Sequence, residues 1–296
     1  MSGALKEVRN RIKSVQSTQQ ITKAMKMVSA AKLRKAQEAI TQMRPYAQKL
    51  QEMLSNIVSN ADGDISMNLA TVRPVEKVLV IVVTSDRGLC GGYNSNLIKL
   101  AKQTIREKYS EQNAKGNAQL LPIGKKGYEY FSKNNFKVID HYWNIFLDIS
   151  FENVQKAAKF AMDAFASGQV DAVELIYSEF KNAATQRFVA EQFLPVAKTD
   201  PSTGSGRQTK QDFIFEPDKD VLIEELMPKI LNTQLYKAVL DANASEHGAR
   251  MTAMDKATEN ANELLKALKI SYNRARQAAI TTELTEIVSG AAALQG

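Results

Sequence analysis

Apolar residues near the start of the chain recur at alternating steps of three and four positions. They are Leu5, Val8, Ile12 and Val15, followed by Leu33, Ala36, Ile40, Met43, Ala47, Leu50, Leu54 and Ile57. Between Gly3 and Gly63 there is no glycine, and Pro45 is the only proline. This spacing predicts a coiled-coil helix over residues 1–59, with a change of phase between Gln19 and Met25.

The last part of the chain, residues 218–296, shows the same spacing. Its predicted seam consists of Met254, Ala257, Ala261, Leu264, Leu268, Ser271, Ala275, Ala278 and Thr282. From residue 218 to 289, only Pro228 and Gly248 could interrupt a helix. Because small seam residues let two helices approach closely, we expect the terminal helices to pair with each other in antiparallel fashion. Two separate dimerising coiled coils are the alternative.

The residues between these helices alternate between strand-like and helix-like segments. Strands are predicted at 77–83, 120–123, 137–142, 170–180 and 187–193, and helices at 94–108, 125–132 and 151–166. Such alternation is typical of a mostly parallel sheet. The predicted fold class is therefore α/β, with a long antiparallel coiled coil and an inserted Rossmann-like α/β domain. The expected divisions are 1–59, 75–198, a loop at 199–217, and 218–296.

Composition narrows the class of protein further. The chain has 296 residues, 44% of them hydrophobic and 24% charged, and its mean hydropathy is −0.30. No apolar run is long enough to predict a membrane span, and the first residues do not resemble a signal peptide. Cys90 is the only cysteine, so one copy of the chain forms no internal disulfide, and a reducing compartment is expected.

The net charge of +7 is concentrated in the N-terminal segment. Residues 1–59 contain eleven Lys and Arg against three acidic residues. A basic coiled coil that binds nucleic acid is one function that such a segment could serve. Tyr46 is its only aromatic residue, however, so a platform for stacking bases is absent there.

A glycine-rich turn, SDRGLCGGYN at residues 85–94, follows the first predicted strand. This is where α/β proteins often bind phosphate, so a small nucleotide-dependent enzyme is a further alternative. The glycines do not match the dinucleotide-binding or P-loop spacings, and a structural turn with a small, partly buried Cys90 is favoured. His141 and His247 lie far apart, and neither belongs to a zinc motif. We therefore predict no catalytic residue, no metal and no cofactor.

The final residues keep an apolar stripe that the N-terminal helix is too short to cover. Its members are Ile280, Leu284, Ile287, Ala291 and Leu294. An apolar helix end without an intramolecular partner needs a partner protein to shield it.

Three segments together resemble the gamma subunit of F-type ATP synthases, the central rotor stalk. They are IKSVQSTQQITKAMKMVSAAKLRKAQ at 12–37, TSDRGLCGGYNSNL at 84–97, and ASEHGARMTAMDKATENANELL with the later YNRARQAAITTELTEIVSGAAAL within 244–294. The stretch ITTELTEIVSGA at 280–291 is the most specific of these motifs. The resemblance covers both ends of the chain and the strand–turn junction between them.

The resemblance implies a non-catalytic subunit that couples proton flow mechanically to ATP synthesis or hydrolysis and regulates ATPase activity. Its partners would be the hexameric head of alpha and beta subunits, the epsilon subunit and the membrane-embedded c ring. No nucleic acid and no direct small-molecule substrate are implied. The expected location is peripheral, on the cytoplasmic face of the bacterial inner membrane.

The resemblance also assigns roles to individual residues. Arg276 and Gln277 match positions that hydrogen-bond a catch loop on a beta subunit. Met25 and Lys26 match the helix region that faces an acidic lever of beta, although packing of Met25 in the seam is the alternative. A turn near that same lever is matched by Asp86, Arg87 and Cys90, and a hydrophobic bearing inside the hexamer by Ile287, Val288 and Leu294.

Overall fold

The computed structural model describes residues 3–59, 69–183, 185–196 and 219–295, and the chain divides into two compact units. One unit contains Met1–Ala30 with Arg250–Gly296, and the other contains Ala31–Ala249. The loop predicted at 199–217 lies outside the described residues.

Six α-helices and five strands make up the described residues. In chain order they are α1 (Gly3–Ser59), β1 (Val78–Val83), α2 (Tyr93–Lys108), α3 (Ser110–Ala114), β2 (Ala118–Ile123), α4 (Lys125–Lys133), β3 (Lys137–Val138), α5 (Phe151–Ala166), β4 (Ala172–Phe180), β5 (Gln186–Leu194) and α6 (Lys219–Gln295), with a 3-10 turn at Ile145–Leu147. The short helix α3 was not predicted. The strand predicted at 137–142 is wrong in length, because after Ile139 the chain turns across the end of β2, where Gly124 N donates to the Trp143 carbonyl at 2.9 Å.

The five strands form one sheet in the order β3-β2-β1-β4-β5. Strands β3, β2, β1 and β4 are parallel, and β5 pairs antiparallel with β4 at one edge. The mostly parallel sheet predicted from the alternating segments is therefore confirmed. Because parallel strands end at the same edge, the β1–α2 turn and the β2–α4 connection meet at the carboxyl edge of the sheet.

Both faces of the sheet are covered, and β1 contributes alternate residues to each. Leu79, Ile81 and Val83 pack in a cluster with α5 and the first half of α6. The intervening valines of β1 pack in a second cluster with α2 and Phe131 of α4. No residue of β1 is more than 1% exposed, which explains why this strand is a continuous apolar run instead of an alternating one.

Helix α6 is attached to the sheet unit by specific hydrogen bonds as well as by apolar contacts. The Tyr93 hydroxyl donates to the Ala242 carbonyl at 3.0 Å, and the buried Ser245 hydroxyl donates to the Ser178 carbonyl at 3.1 Å. Gln234 donates to Glu191 of β5 at 3.1 Å, and burial raises the pKa of that carboxyl. These contacts fix residues 234–245 of α6 against the sheet.

A buried carboxylate connects the end of α2 to the sheet. Glu174 of β4 is 1% exposed, and its Oε1 atom accepts hydrogen bonds from Lys108 Nζ and the Tyr109 hydroxyl, both at 2.9 Å. Burial, with Glu174 close by, raises the pKa of Tyr109. The charge is thus compensated inside the fold, as a buried carboxylate requires.

In the other unit, the start of α1 pairs with the later part of α6. Polar contacts link Arg9 to Tyr272, Gln19 to Asn262, Thr22 to Thr258 and Lys26 to Asp255. Residue numbers rise along α1 as they fall along α6, so the helices are antiparallel, as predicted. The alternative of two separate dimerising coiled coils is wrong. Continuing the pairing places the start of α1 level with the region of Ala278.

The predicted change of phase in α1 is also wrong. Buried and half-buried positions continue at steps of three and four through 5, 8, 12, 15, 19, 22, 26 and 29, with position 25 half-buried beside 26. The break in the apolar pattern arises because polar side chains occupy the same seam, among them Thr22 and Ser29, which are 8% and 3% exposed. The seam therefore keeps the same spacing along α1, while some of the side chains that occupy it change from apolar to polar.

The seam of α6 differs from the prediction beyond Ala261. Leu265 is 8% exposed and Leu264 is 49% exposed, the reverse of what was expected. The later half-buried positions are 268, 272, 275 and 279, so Ser271, Ala278 and Thr282 lie outside the seam. Steps of three and of four from Ala261 both reach a leucine, so spacing alone does not distinguish them.

Candidate partner-binding site

The glycine-rich turn, residues 85–94, is held in one conformation by the side chain of Asn94. Asn94 Oδ1 accepts from the Ser85 amide at 3.0 Å, and Nδ2 donates to Ser85 Oγ at 2.8 Å and to Cys90 Sγ at 3.3 Å. The Ser85 hydroxyl in turn donates to the Arg87 carbonyl at 2.7 Å. Both ends of the turn are thus bonded to each other, and its backbone has little freedom.

The strand end and the turn, at residues 84–86, also accept hydrogen bonds from three backbone amides at the N-terminus of helix α4. The Lys125 amide donates to Asp86 Oδ1 at 3.0 Å, the Lys126 amide to the Ser85 carbonyl at 3.0 Å, and the Gly127 amide to Thr84 Oγ1 at 2.9 Å. These are the groups with which a helix N-terminus would bind a phosphate. The chain's own atoms occupy them, so these three amides of α4 already have acceptors.

Exposure separates the residues of the turn into two groups. Cys90 is 2% exposed, which confirms the prediction of a small buried thiol. Arg87 is exposed, and Leu89 is 67% exposed with a φ of 64°. A left-handed backbone costs a non-glycine residue about 1–2 kcal/mol. Sequence patterns did not single out Leu89, because its conformation is visible only in the structure.

Met25 and Lys26 lie in the helix pair and are both half-buried. Lys26 Nζ lies 2.5 Å from Asp255 Oδ1, with side chains 41% and 47% exposed. Sequence patterns did not identify Asp255 as the partner of Lys26, because the two residues are 229 positions apart and meet only when the helices pair. Met27 and Val28, the next two residues, are exposed by 67% and 58%. The helix pair therefore shows partners an apolar surface beside a partly neutralised lysine.

Arg276 and Gln277 are exposed side by side on α6. Beyond them, every residue from 281 to 294 is exposed, including Ile287, Val288 and Leu294 at 67%, 66% and 89%. This is the part of α6 that extends past the start of α1. The predicted apolar stripe at the end of the chain is therefore present without an intramolecular cover among the described residues.

Two further kinds of site can be checked in the described residues. Across 3–59, 69–183, 185–196 and 219–295, no cluster of three His, Cys, Asp or Glu side chains is placed to hold a metal ion. Over those same ranges, no helix combines the length and apolar character needed to cross a membrane.

Comparison with known proteins places this architecture in a family. Residues 4–294 match the family model described as ATP synthase. The ATP synthase gamma chain of Cytophaga hutchinsonii is 52% identical over 291 residues, which cover 98% of this chain and 99% of the relative. The gamma chain of Flavobacterium psychrophilum is 52% identical over 294 residues, covering 99% of each.

A solved structure agrees with the fold. A chain from the Euglena gracilis mitochondrial ATP synthase (OSCP/F1/c-ring, rotational state 3) has a TM-score of 0.66 and 20% identity, covering 99% of this chain and 95% of that chain. This likeness shows the fold. The family match over residues 4–294 defines the chain as a subunit of ATP synthase.

Within that class, this chain belongs to the family of ATP synthase gamma chains. It is a central-stalk subunit of the F-type enzyme and is not catalytic, since the catalytic sites lie on the beta subunits. Gamma chains are peripheral subunits of that complex.

Proposed function

We propose that this chain transmits rotation to the catalytic subunits through three surfaces: the exposed end of α6, the exposed pair Arg276–Gln277, and the glycine-rich turn. The single observation that carries the proposal is the exposed apolar stripe within residues 281–294, where α6 continues past the start of α1. Exposed apolar side chains that are contiguous on a surface mark a site at which another protein binds. In this proposal the partner is the hexamer of alpha and beta subunits.

The apolar segment acts as a bearing. Ile287, Val288 and Leu294 carry no charge and make no directional bond, so a hydrophobic collar can surround them in every rotational position at similar free energy. Such contacts centre the helix without favouring one angle. The bearing therefore holds the shaft, and torque has to pass through other residues.

Arg276 and Gln277 supply the directional contact. A guanidinium and an amide side by side can form a forked set of hydrogen bonds with a carboxylate and a neighbouring carbonyl on a beta subunit. Lys26 behaves differently, because its attraction to an acidic lever is shared with Asp255 in the same helix pair. Met25 adds apolar contact beside it. Residues 25–26 thus provide a contact without directional bonds to beta, and residues 276–277 provide a directional one.

The glycine-rich turn is a second contact with beta in this proposal. Asp86 is half-buried and accepts a bond from α4, while Arg87 is exposed. The buried Cys90 serves as a positioning residue, because its thiol faces Asn94 inside the turn. Direct contact is therefore made by the neighbouring exposed side chains.

The remaining partners follow from the same role. In this proposal the terminal helices contact the alpha and beta subunits, and the α/β domain at 75–198 contacts the epsilon subunit and the c ring. The complex lies at the cytoplasmic face of the bacterial inner membrane and moves protons there. By altering how easily the beta subunits change conformation, the shaft also regulates ATP hydrolysis.

The test compares Arg276→Ala with Arg274→Ala in the assembled complex. Both arginines are exposed on α6, two positions apart and therefore on different faces of the helix. We expect Arg276→Ala to lower ATP-driven proton pumping about tenfold, as losing a charged hydrogen-bonded contact does, while melting of the purified chain is unchanged. Arg274→Ala leaves pumping near the wild-type rate.

Equal pumping by the two variants in normally assembled complexes would remove Arg276 from the contact. Copurification tests the wider proposal. An affinity-tagged chain is expected to bring down alpha, beta, epsilon and c subunits together, and a tagged chain that assembles without an alpha/beta head contradicts the proposed role.

A further inference from the structure

A groove of about 760 Å³ lies where helix α2, helix α3 and the residue before β3 meet. This volume falls within the range of small-molecule sites, about 300–1,000 Å³. Three cations of α2 and one aromatic ring line it, namely Lys99, Lys102, Arg106 and Phe136. None of the contact residues in the proposed function lines this groove, so it is a separate surface of the sheet unit.

The three cations follow one face of α2 at steps of three and four positions. Like charges at these spacings repel each other and destabilise a helix. Within the described part of the chain, Lys99 and Arg106 form no ion pair. The carboxylate that lines the groove belongs to Glu107, and its Oε1 atom accepts from Gln103 at 2.8 Å. The groove therefore has an excess of positive charge that a bound anion would neutralise.

These charges extend along the groove instead of meeting at one point. From Lys99 to Arg106 the helix rises about 10 Å, at about 1.5 Å per residue. Between them, Lys102 Nζ lies 3.4 Å from the Tyr130 hydroxyl and 5.9 Å from the centre of that ring, so Tyr130 orients this lysine. A row of this length matches an anion with several linked phosphates better than a single phosphate ion.

The aromatic ring in the groove is held in place by the turn that ends α4. Asn135 has a φ of 59°, which reverses the chain so that the Phe136 amide donates to the Phe131 carbonyl at 3.2 Å. The two rings meet edge to face, with centres 5.4 Å apart, and Phe131 is fully buried. Phe136 itself is half-buried, so part of its ring faces the groove. An aromatic ring beside cations is a combination that binds a base and its phosphates.

We infer that this groove binds a nucleoside polyphosphate, with its phosphates along the three cations and its base against Phe136. Charge-assisted hydrogen bonds hold the phosphates, and stacking on the ring holds the base. Ser110 and Asn113 of α3 also line the groove and supply hydrogen-bonding groups for the sugar. An acidic protein segment is the competing ligand. Its carboxylates would use the cations, but it has no base to place against the ring.

Isothermal titration calorimetry on the purified full-length chain tests this inference, with ATP, tripolyphosphate and adenosine as probes. The chain is used alone, because the catalytic sites on the beta subunits would bind the same probes. The charge variant combines Lys99→Ala with Arg106→Ala. The ring variant is Phe136→Leu, which keeps an apolar contact with Phe131. Lys159→Ala is the matched control, since Lys159 is an exposed cation of α5, on the opposite face of the sheet.

We expect ATP to bind the wild-type chain and to raise its Tm. The charge variant should bind ATP about tenfold more weakly, and Phe136→Leu about fivefold more weakly. Tripolyphosphate should bind about fivefold more weakly than ATP, and adenosine should not bind. Lys159→Ala is expected to bind like the wild type. Without ligand, the charge variant should keep its Tm or gain slightly, because the repulsion along α2 is removed.

Several results would overturn the inference. One is the absence of binding at about 1 mM ATP. Another is an equal loss of affinity in Lys159→Ala, which would mean that the chain attracts anions through its net charge alone. Equal binding of ATP and tripolyphosphate, unchanged by Phe136→Leu, would exclude a role for the base. Binding of polyglutamate that is tighter than that of ATP, and lost in the charge variant, would assign the groove to an acidic protein segment instead.

Discussion

The helix pair formed by residues 3–30 and 250–295 and the five-stranded sheet are stabilised in different ways. In the sheet, no residue of β1 is more than 1% exposed, and both faces are covered by apolar clusters. In the helix pair, few side chains are buried, and Thr22 and Ser29 are among them. Polar contacts such as Thr22–Thr258 take the place of apolar packing.

The two regions therefore differ in rigidity and in the surface that they leave exposed. A sheet buried on both faces has little surface left for partners but resists deformation, because a close-packed interior transmits strain. The helix pair buries a narrow seam and leaves most of its circumference exposed. Its polar contacts fix the register of the two helices, since each donor has one acceptor opposite it.

The largest expected effect tests the sheet. Phe165 of α5 is fully buried, with the Arg73 guanidinium 4.5 Å from the centre of its ring. We expect Phe165→Ala to lower the free energy of unfolding by about 4 kcal/mol, because it leaves a large cavity in a rigid core. Urea denaturation followed by circular dichroism measures this.

The matched control for Phe165→Ala is Phe151→Ala, since Phe151 begins the same helix and is 40% exposed. We expect Phe151→Ala to lower the free energy of unfolding by less than half as much as Phe165→Ala does. Equal losses for the two variants would mean that the interior of the sheet unit is not as tightly packed as its burial indicates.

The next effect tests the helix pair with two adjacent leucines. Leu265→Ala is expected to destabilise the pair by about 2 kcal/mol, since Leu265 is 8% exposed, whereas Leu264→Ala at 49% exposure should change little. Hydrogen exchange read by mass spectrometry localises the change. Amides in 255–275 should exchange about 30-fold faster in Leu265→Ala, which is 2 kcal/mol expressed as a rate ratio, while β1 keeps its protection. Faster exchange in Leu264→Ala alone would show that Leu264 is the seam residue, as the sequence predicted.

These leucines also show how far the sequence predicts the structure. Strand β1 is predicted well because it is a continuous apolar run between polar segments. The antiparallel helix pair is predicted because both terminal segments have apolar residues at steps of three and four. The seam beyond Ala261 is not, since Leu264 and Leu265 fit the spacing equally. Which of the two leucines is buried depends on contacts with α1, which lies more than two hundred residues away in sequence.

The candidate site is predictable to a similar degree. The motif resemblance identifies the turn and the exposed Arg276, because both belong to recognisable local patterns. The left-handed backbone of Leu89 and the pairing of Lys26 with Asp255 depend on tertiary structure, and no local pattern encodes them. Polar residues in the α1 seam were mistaken for a change of phase for the same reason.

The smallest effect concerns the Lys26–Asp255 pair and separates the two regions by their response to salt. Both side chains are more than 40% exposed, so solvent screens the pair. A double-mutant cycle with Lys26→Ala and Asp255→Ala should give a coupling energy of about 0.5 kcal/mol at low salt, falling towards zero near 1 M. The loss caused by Phe165→Ala has no such salt dependence, because it arises from apolar packing. A coupling energy above about 2 kcal/mol that persists in salt would show that this pair, and not the seam, holds the helices in register. In that case Lys26 would be committed to the helix pair and unable to attract an acidic lever on a beta subunit.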